Sequence, residues 1–194
     1  MKVFPLLAAL LLTAACAFAG TVEEYASKVA PLIDPAKLAT LRERGANPRV
    51  QKYVAQMADA KLARIAPEKV AARAVEMVGM KGEAAKLTVD AMVRNLTIAE
   101  RLGCVDAAGL TDMHKGQSPT VRRGPYKGDE LSVDHIIPRA VVPELDNVIA
   151  NLELLPLKVN ERKNAKIGQR QIDLSRKLNH AGLLSQSGLQ AVRK

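Results

Sequence analysis

The stretch VDHIIPRAVVPELDNVIANLELLPLKVNERKNAKIG, residues 133–168, decides the fold. It opens on an ionisable pair, Asp134-His135, set in an apolar, β-branched run. Burying ionisable groups without partners is costly, so the pair calls for an explanation further along the chain. The polar residues that follow are few. Asn151 comes 16 residues after His135 and directly precedes a second apolar run, LELL. Asn160 follows nine residues later, and Lys163 stands about one helical turn beyond it. Pro138, Pro143 and Asp146-Asn147 mark the intervening segment as a loop. Asn147 competes for the place of the middle asparagine, but beside Asp146 it suits loop chemistry better. The pattern predicts a strand over 133–137, a loop, a strand opening at Asn151, and a polar helix over about 158–167 with Gly168 as its stop. A last amphipathic helix is expected over about 172–181. Neighbours 134 and 135 on a strand point to opposite sides. One can therefore hold an ion while the other faces a substrate.

This set resembles the HNH nucleases, the ββα-metal family: D-H-I-x-P, then N-L at the second strand, then N-x-x-K on the helix. The resemblance covers about 40 of the 194 residues and is nearest to the branch found in CRISPR effector nucleases. It implies that His135 is the general base for the attacking water. It makes Asp134 and Asn160 metal ligands, and Asn151 the residue that bridges backbone groups so that His135 points correctly. Lys163 matches a basic residue near the phosphate. Arg139, Arg162 and Lys166 are further candidates for substrate contact, with a solvated surface as the other reading of each. The chemistry is coherent, because an ordinary imidazole, with a pKa of about 6.5, accepts protons near neutral pH. Asp and Asn oxygens favour Mg²⁺, or Mn²⁺, over Zn²⁺. Colicin-like members carry His-His first and His third, and many others carry flanking Cys pairs on zinc. Neither pattern is present, so another part of the chain must brace the small ββα unit. The N-terminal helices and the final helix are the candidates.

The rest of the chain sets bounds. It opens MKVFPLLAALLLTAACAFAG, with a lysine, an apolar run and a small-residue end at Ala17-Phe18-Ala19. That is the layout of a secretory signal peptide. Cleavage near Ala19 is expected, with a retained anchor or a lipid on Cys16 as the other readings. The protein is then exported, periplasmic or secreted. Beyond residue 20 the only cysteine is Cys104, so an intramolecular disulfide is excluded. Net charge is +9, and residues 112–194 carry 14 Lys/Arg against 9 Asp/Glu. A basic balance suits a polyanionic partner, which here means nucleic acid, DNA first and RNA second. The only aromatics beyond residue 20 are Tyr25, Tyr53 and Tyr126, which argues against base-stacking platforms. No glycine-rich phosphate loop calls for a nucleotide-type cofactor.

Residues 21–111 are rich in Ala, Leu, Lys, Arg and Glu and read as a helical bundle. Asp34-Pro35 should start a short helix ending at Gly45, and Asn47-Pro48 the next. Pro67 restarts a helix that closes near Gly79, and a long one follows over about 83–102. Residues 112–130 hold Gly, Pro and basic residues and read as a loop or linker, in which His114 reads first as a surface histidine and second as one that could approach the site. The expected fold is α+β and mostly helical: signal peptide 1–20, helical region 21–111, linker 112–130, ββα-metal unit with its following helix 131–182, and tail 183–194. The expected function is an exported, metal-dependent endonuclease. A non-catalytic nucleic-acid- or partner-binding protein on the same scaffold is the alternative.

Overall fold

A computed structural model of the chain describes residues 20–163 and 165–194. The expected signal peptide and Cys16 lie outside these residues. Among the described residues, no helix is long and apolar enough to cross a membrane. The described residues are mostly helical, with one two-stranded antiparallel sheet.

Local chemistry explains most of the helix starts. α1 (Val22–Ile33) begins with a capping box. Thr21 Oγ1 accepts from the Glu24 amide at 3.2 Å, and the Glu24 carboxylate accepts from the Thr21 amide at 2.6 Å. Asp34 caps α2 (Pro35–Leu38), accepting from the Ala36 amide at 3.0 Å. Proline stands in the first turn of α3 (Asn47–Leu62) and of α4 (Pro67–Met77). α5 (Gly82–Arg101) is the long helix, and α6 (Ala107–Lys115) follows. β1 (Leu131–His135) pairs with β2 (Leu152–Pro156), and β2 runs directly into α7 (Leu157–Lys163). α8 (Gln169–His180) and α9 (Gln186–Arg193) complete the chain.

Apart from shifts of two or three residues, as in β1 at 131–135 against the expected 133–137, four boundaries differ from the sequence reading, each for a local reason. α2 stops at Leu38 rather than at Gly45, because residues 39–46 turn away to meet the loop between the strands. Arg44 adopts a left-handed backbone there, with φ 55°. The expected linker opens as helix, since Asp106 caps α6 through the Gly109 amide at 2.7 Å and Gly116 closes it with φ 82°. α7 ends at Lys163, and Gly168 starts α8 instead of stopping α7. Its amide donates to Gln171 Oε1 at 3.1 Å. The expected tail contains α9, which is capped by Ser185 and buries Leu189 and Val192.

The buried apolar residues form two clusters. Ile33, Tyr53, Met57, Met92 and Met113 from the helices share one apolar cluster with Leu131, Val133, Leu152 and Leu154 of the strands. A second cluster joins Ile137, Val142 and Leu145 of the inter-strand loop to Leu178 of α8 and to Leu189 and Val192 of α9.

A two-stranded sheet is marginal in isolation and has two unpaired edges. Side-chain amides from the helices pair with both. Gln51 Nε2 on α3 donates to the Leu131 carbonyl of β1 at 2.8 Å. Asn95 on α5 acts as a short surrogate strand along β2. Its Oδ1 accepts from the Leu154 amide at 3.0 Å, and its Nδ2 donates to the Leu152 carbonyl at 3.1 Å. The same Nδ2 donates to the Tyr53 hydroxyl at 2.7 Å, and burial pushes the Tyr53 pKa up to about 12. Asn95 is fully buried, so its amide serves the sheet edge and the Tyr53 hydroxyl. Asn95→Ala should lower stability by about 2–4 kcal/mol, because it strips partners from buried strand groups. Urea unfolding checks this, and a loss under about 0.5 kcal/mol, the level of an ordinary surface change, would show that the edge is held by other groups.

Candidate active site

The site is built on the register of the two strands. Asp134 faces Glu153 across the ladder, and His135 faces Leu152. The Ile136 amide donates to the Asn151 carbonyl at 2.8 Å, extending the pairing by one bond. The chain then leaves the sheet and returns at Asn151. That excursion is held from inside by the Asn151 side chain, which is fully buried. Its Oδ1 accepts from the Ile137 amide at 2.8 Å. Its Nδ2 donates to the Ile137 carbonyl at 3.0 Å and to the Leu145 carbonyl at 3.4 Å. Asn151 therefore bridges backbone groups at both ends of the excursion. Asn147 instead ties the loop to residues 41–46: its Oδ1 accepts from the Ala46 amide at 2.9 Å, and its Nδ2 donates to the Arg42 carbonyl at 3.3 Å.

The loop so held places Asp146 against His135. His135 Nε2 lies 2.9 Å from the Asp146 carbonyl oxygen and 3.0 Å from Asp146 Oδ1. A carbonyl oxygen only accepts, so Nε2 carries the hydrogen, and in the neutral ring Nδ1 bears the lone pair. Nδ1 makes no hydrogen bond among the described residues. The other carboxylate oxygen, Asp146 Oδ2, accepts from the Arg44 amide at 2.9 Å. The left-handed turn at Arg44 is thus anchored to the residue that orients the imidazole.

On the other side of the strand, the Asp134 carboxylate meets the Lys163 ammonium. Lys163 Nζ also donates to the His135 carbonyl at 2.9 Å and lies 3.8 Å from Glu153 Oε1. Glu153 is nearly fully buried, and Arg170 of α8 grips it through both guanidinium nitrogens, one at 2.9 Å. Hydrogen bonding to Glu153 holds the Arg170 pKa above its ordinary value. Asn160 on α7 donates from Nδ2 to Ser132 Oγ at 3.0 Å. This sets the orientation of its amide, and Oδ1 makes no hydrogen bond among the described residues.

Arg44, Asp134, His135, Arg139, Asn160 and Lys163 border one cleft of about 470 Å³. Five of the eight residues singled out in the sequence therefore meet there, and Asn151 lies buried behind it. Arg162 and Lys166 are exposed and do not border the cleft. Arg139 is paired with Glu43. His114 lies elsewhere, with Nε2 at 2.9 Å from Asp59 and Nδ1 at 3.2 Å from Gln56. Four participants were missed in the sequence: Arg44, Asp146, Glu153 and Arg170. Glu153 did carry a signal, since a carboxylate inside LELLP is as anomalous as Asp134 inside VDHII.

The donor set suits a hard ion better than zinc. Asp134 and Asn160 offer one carboxylate and one amide oxygen, which fits an ion that keeps several waters. Among the described residues, no group of three or more His, Cys, Asp or Glu side chains could hold a metal.

Compared with protein-family models, curated proteins and solved structures, the chain matches none of them.

Proposed function

We propose that this protein is a metal-dependent endonuclease of the HNH type, acting on DNA, with RNA as the second substrate. The observation that carries the reading is the state of His135. Nε2 is tied to the Asp146 carbonyl, which leaves Nδ1 as a lone-pair acceptor in a ring that borders the same cleft as Asp134 and Asn160.

In this reading Nδ1 removes a proton from a water molecule. The water oxygen attacks the phosphorus, and the 3′-oxygen of the neighbouring nucleotide leaves. The products are a 5′-phosphate and a 3′-hydroxyl. Asp146 holds the ring and favours the imidazolium that forms. Arg44 places positive charge along the cleft, where backbone phosphates would lie, and Arg139 would add to it on leaving Glu43. Asp134 and Asn160 would hold the divalent ion, Mg²⁺ first and Mn²⁺ second. When bound, that ion supplies neutralisation of the charge developing on the phosphate and leaving oxygens. The expected signal peptide would make this an exported enzyme.

Supercoiled plasmid tests the reading. Nicking is expected with Mg²⁺ or Mn²⁺ and should vanish with EDTA. Cleavage that persists in EDTA removes the metal. Binding without cutting in every metal, weakening steeply with salt, decides for the non-catalytic alternative.

A further inference from the structure

We propose that Lys163 is a resident cation that occupies Asp134 in the metal-free protein and must yield it before a divalent ion can bind. This inference rests on the proposed metal role of Asp134. It adds a device within the site: metal entry is an exchange of one cation for another, with Glu153 as the receiver of the displaced ammonium.

Three observations carry it. First, Lys163 Nζ sits on the Asp134 carboxylate and is pinned by the His135 carbonyl at 2.9 Å. Its side chain is only 20% exposed and that of Asp134 only 11%. The pair is sheltered, and solvent screens it less than a surface bridge. Second, a second carboxylate stands within reach. Glu153 Oε1 is 3.8 Å from the same Nζ, and Glu153 is Asp134's partner across the ladder. A small swing of the lysine end therefore exchanges one carboxylate for the other without leaving the ammonium uncompensated. Third, Arg170 already holds Glu153 in place, so the receiver is ordered before the exchange. Asn160 lies three residues before Lys163 on α7. The same short helix therefore carries both the second proposed ligand and the cation that blocks the first.

The exchange has consequences for stability and for metal affinity. Without a metal, Asp134 is not a bare buried charge, so the site is stable in its empty form. Once Asp134 is given up, the lysine ammonium is held by Glu153, whose carboxylate is buried beside the strand ladder. Apparent metal affinity is then reduced by the fraction of molecules in which the lysine has let go.

Mn²⁺ binding to the purified protein, followed by electron paramagnetic resonance or calorimetry in the absence of nucleic acid, tests this directly. Three proteins are compared: wild type, Lys163→Met and Lys163→Arg. Lys163→Met removes the competitor, and Mn²⁺ should bind roughly tenfold tighter. Lys163→Arg keeps the charge but offers a planar fork that can grip Asp134 through two nitrogens. Mn²⁺ should then bind severalfold more weakly than to wild type. Simple repulsion through space predicts instead that Lys163→Arg behaves as wild type. That result overturns the exchange, as does Lys163→Met binding no tighter than wild type. Thermal unfolding in EDTA monitors integrity. If Lys163→Met does not fold, the arginine variant alone decides. Binding of Mn²⁺ to none of the three proteins overturns the metal reading itself as well.

Discussion

Replacing His135 with alanine is expected to reduce plasmid nicking by about 10³-fold at saturating Mg²⁺, within the range that a positioned general base contributes. The protein should remain folded. The lost contact is the bond from Nε2 to Asp146, and a single hydrogen bond of this kind is worth about 1 kcal/mol. Asp146 also keeps its bond from the Arg44 amide, so the loop does not lose its anchor. Circular dichroism and the unfolding midpoint separate lost chemistry from lost structure. Nicking within tenfold of wild type, by a folded variant, would remove His135 as the base. Added imidazole should restore part of the activity, since the truncated side chain leaves space bordering the cleft.

Asn151→Ala should have the larger effect on stability, about 3–5 kcal/mol, or roughly a 10 °C drop in unfolding midpoint. The reason is the number of groups left behind. The Ile137 amide and the Ile137 and Leu145 carbonyls lose their side-chain partner in the interior. Activity should fall further than stability implies, because the loop that Asn151 holds carries Asp146 to His135. Asn151→Asp would still accept from the Ile137 amide but could not donate to either carbonyl, and it buries a charge. It should therefore be no milder. Urea unfolding together with nicking below the midpoint measures both effects. An alanine variant with wild-type stability would show that the loop is held by its apolar packing alone.

The most legible parts of the chain were those controlled by a few neighbouring residues. Asp34 caps a helix beside Pro35, Pro48 and Pro67 stand in first helical turns, and Asn151 sits where a strand must begin. The misreadings have the same physics seen from the other side. Gly168 suits a stop by local sequence, but a glycine can end a helix or start one, and only the Gln171 side chain folding back on it decides. Residues 183–194 looked like a tail because their few apolar residues gain nothing until Val142, Leu145 and Leu178 are there to cover them.

The sequence by itself determined the mostly helical plan with two late strands, and the order Asp134-His135, Asn151, Asn160, Lys163. Those features follow from periodicity, capping and turn chemistry, which act over a few residues. The tertiary structure alone decided which nitrogen of His135 is tied, that Lys163 lies on Asp134, that Arg170 holds Glu153, and that Arg44 reaches the cleft from a turn about 90 residues before His135. It also decided that Gln51 and Asn95 close the edges of the sheet. A hydrogen bond or ion pair forms only when two atoms come within about 3 Å with the right direction. For residues far apart in the chain, the packing of helices against the strands sets that approach, and no local pattern in the sequence encodes it.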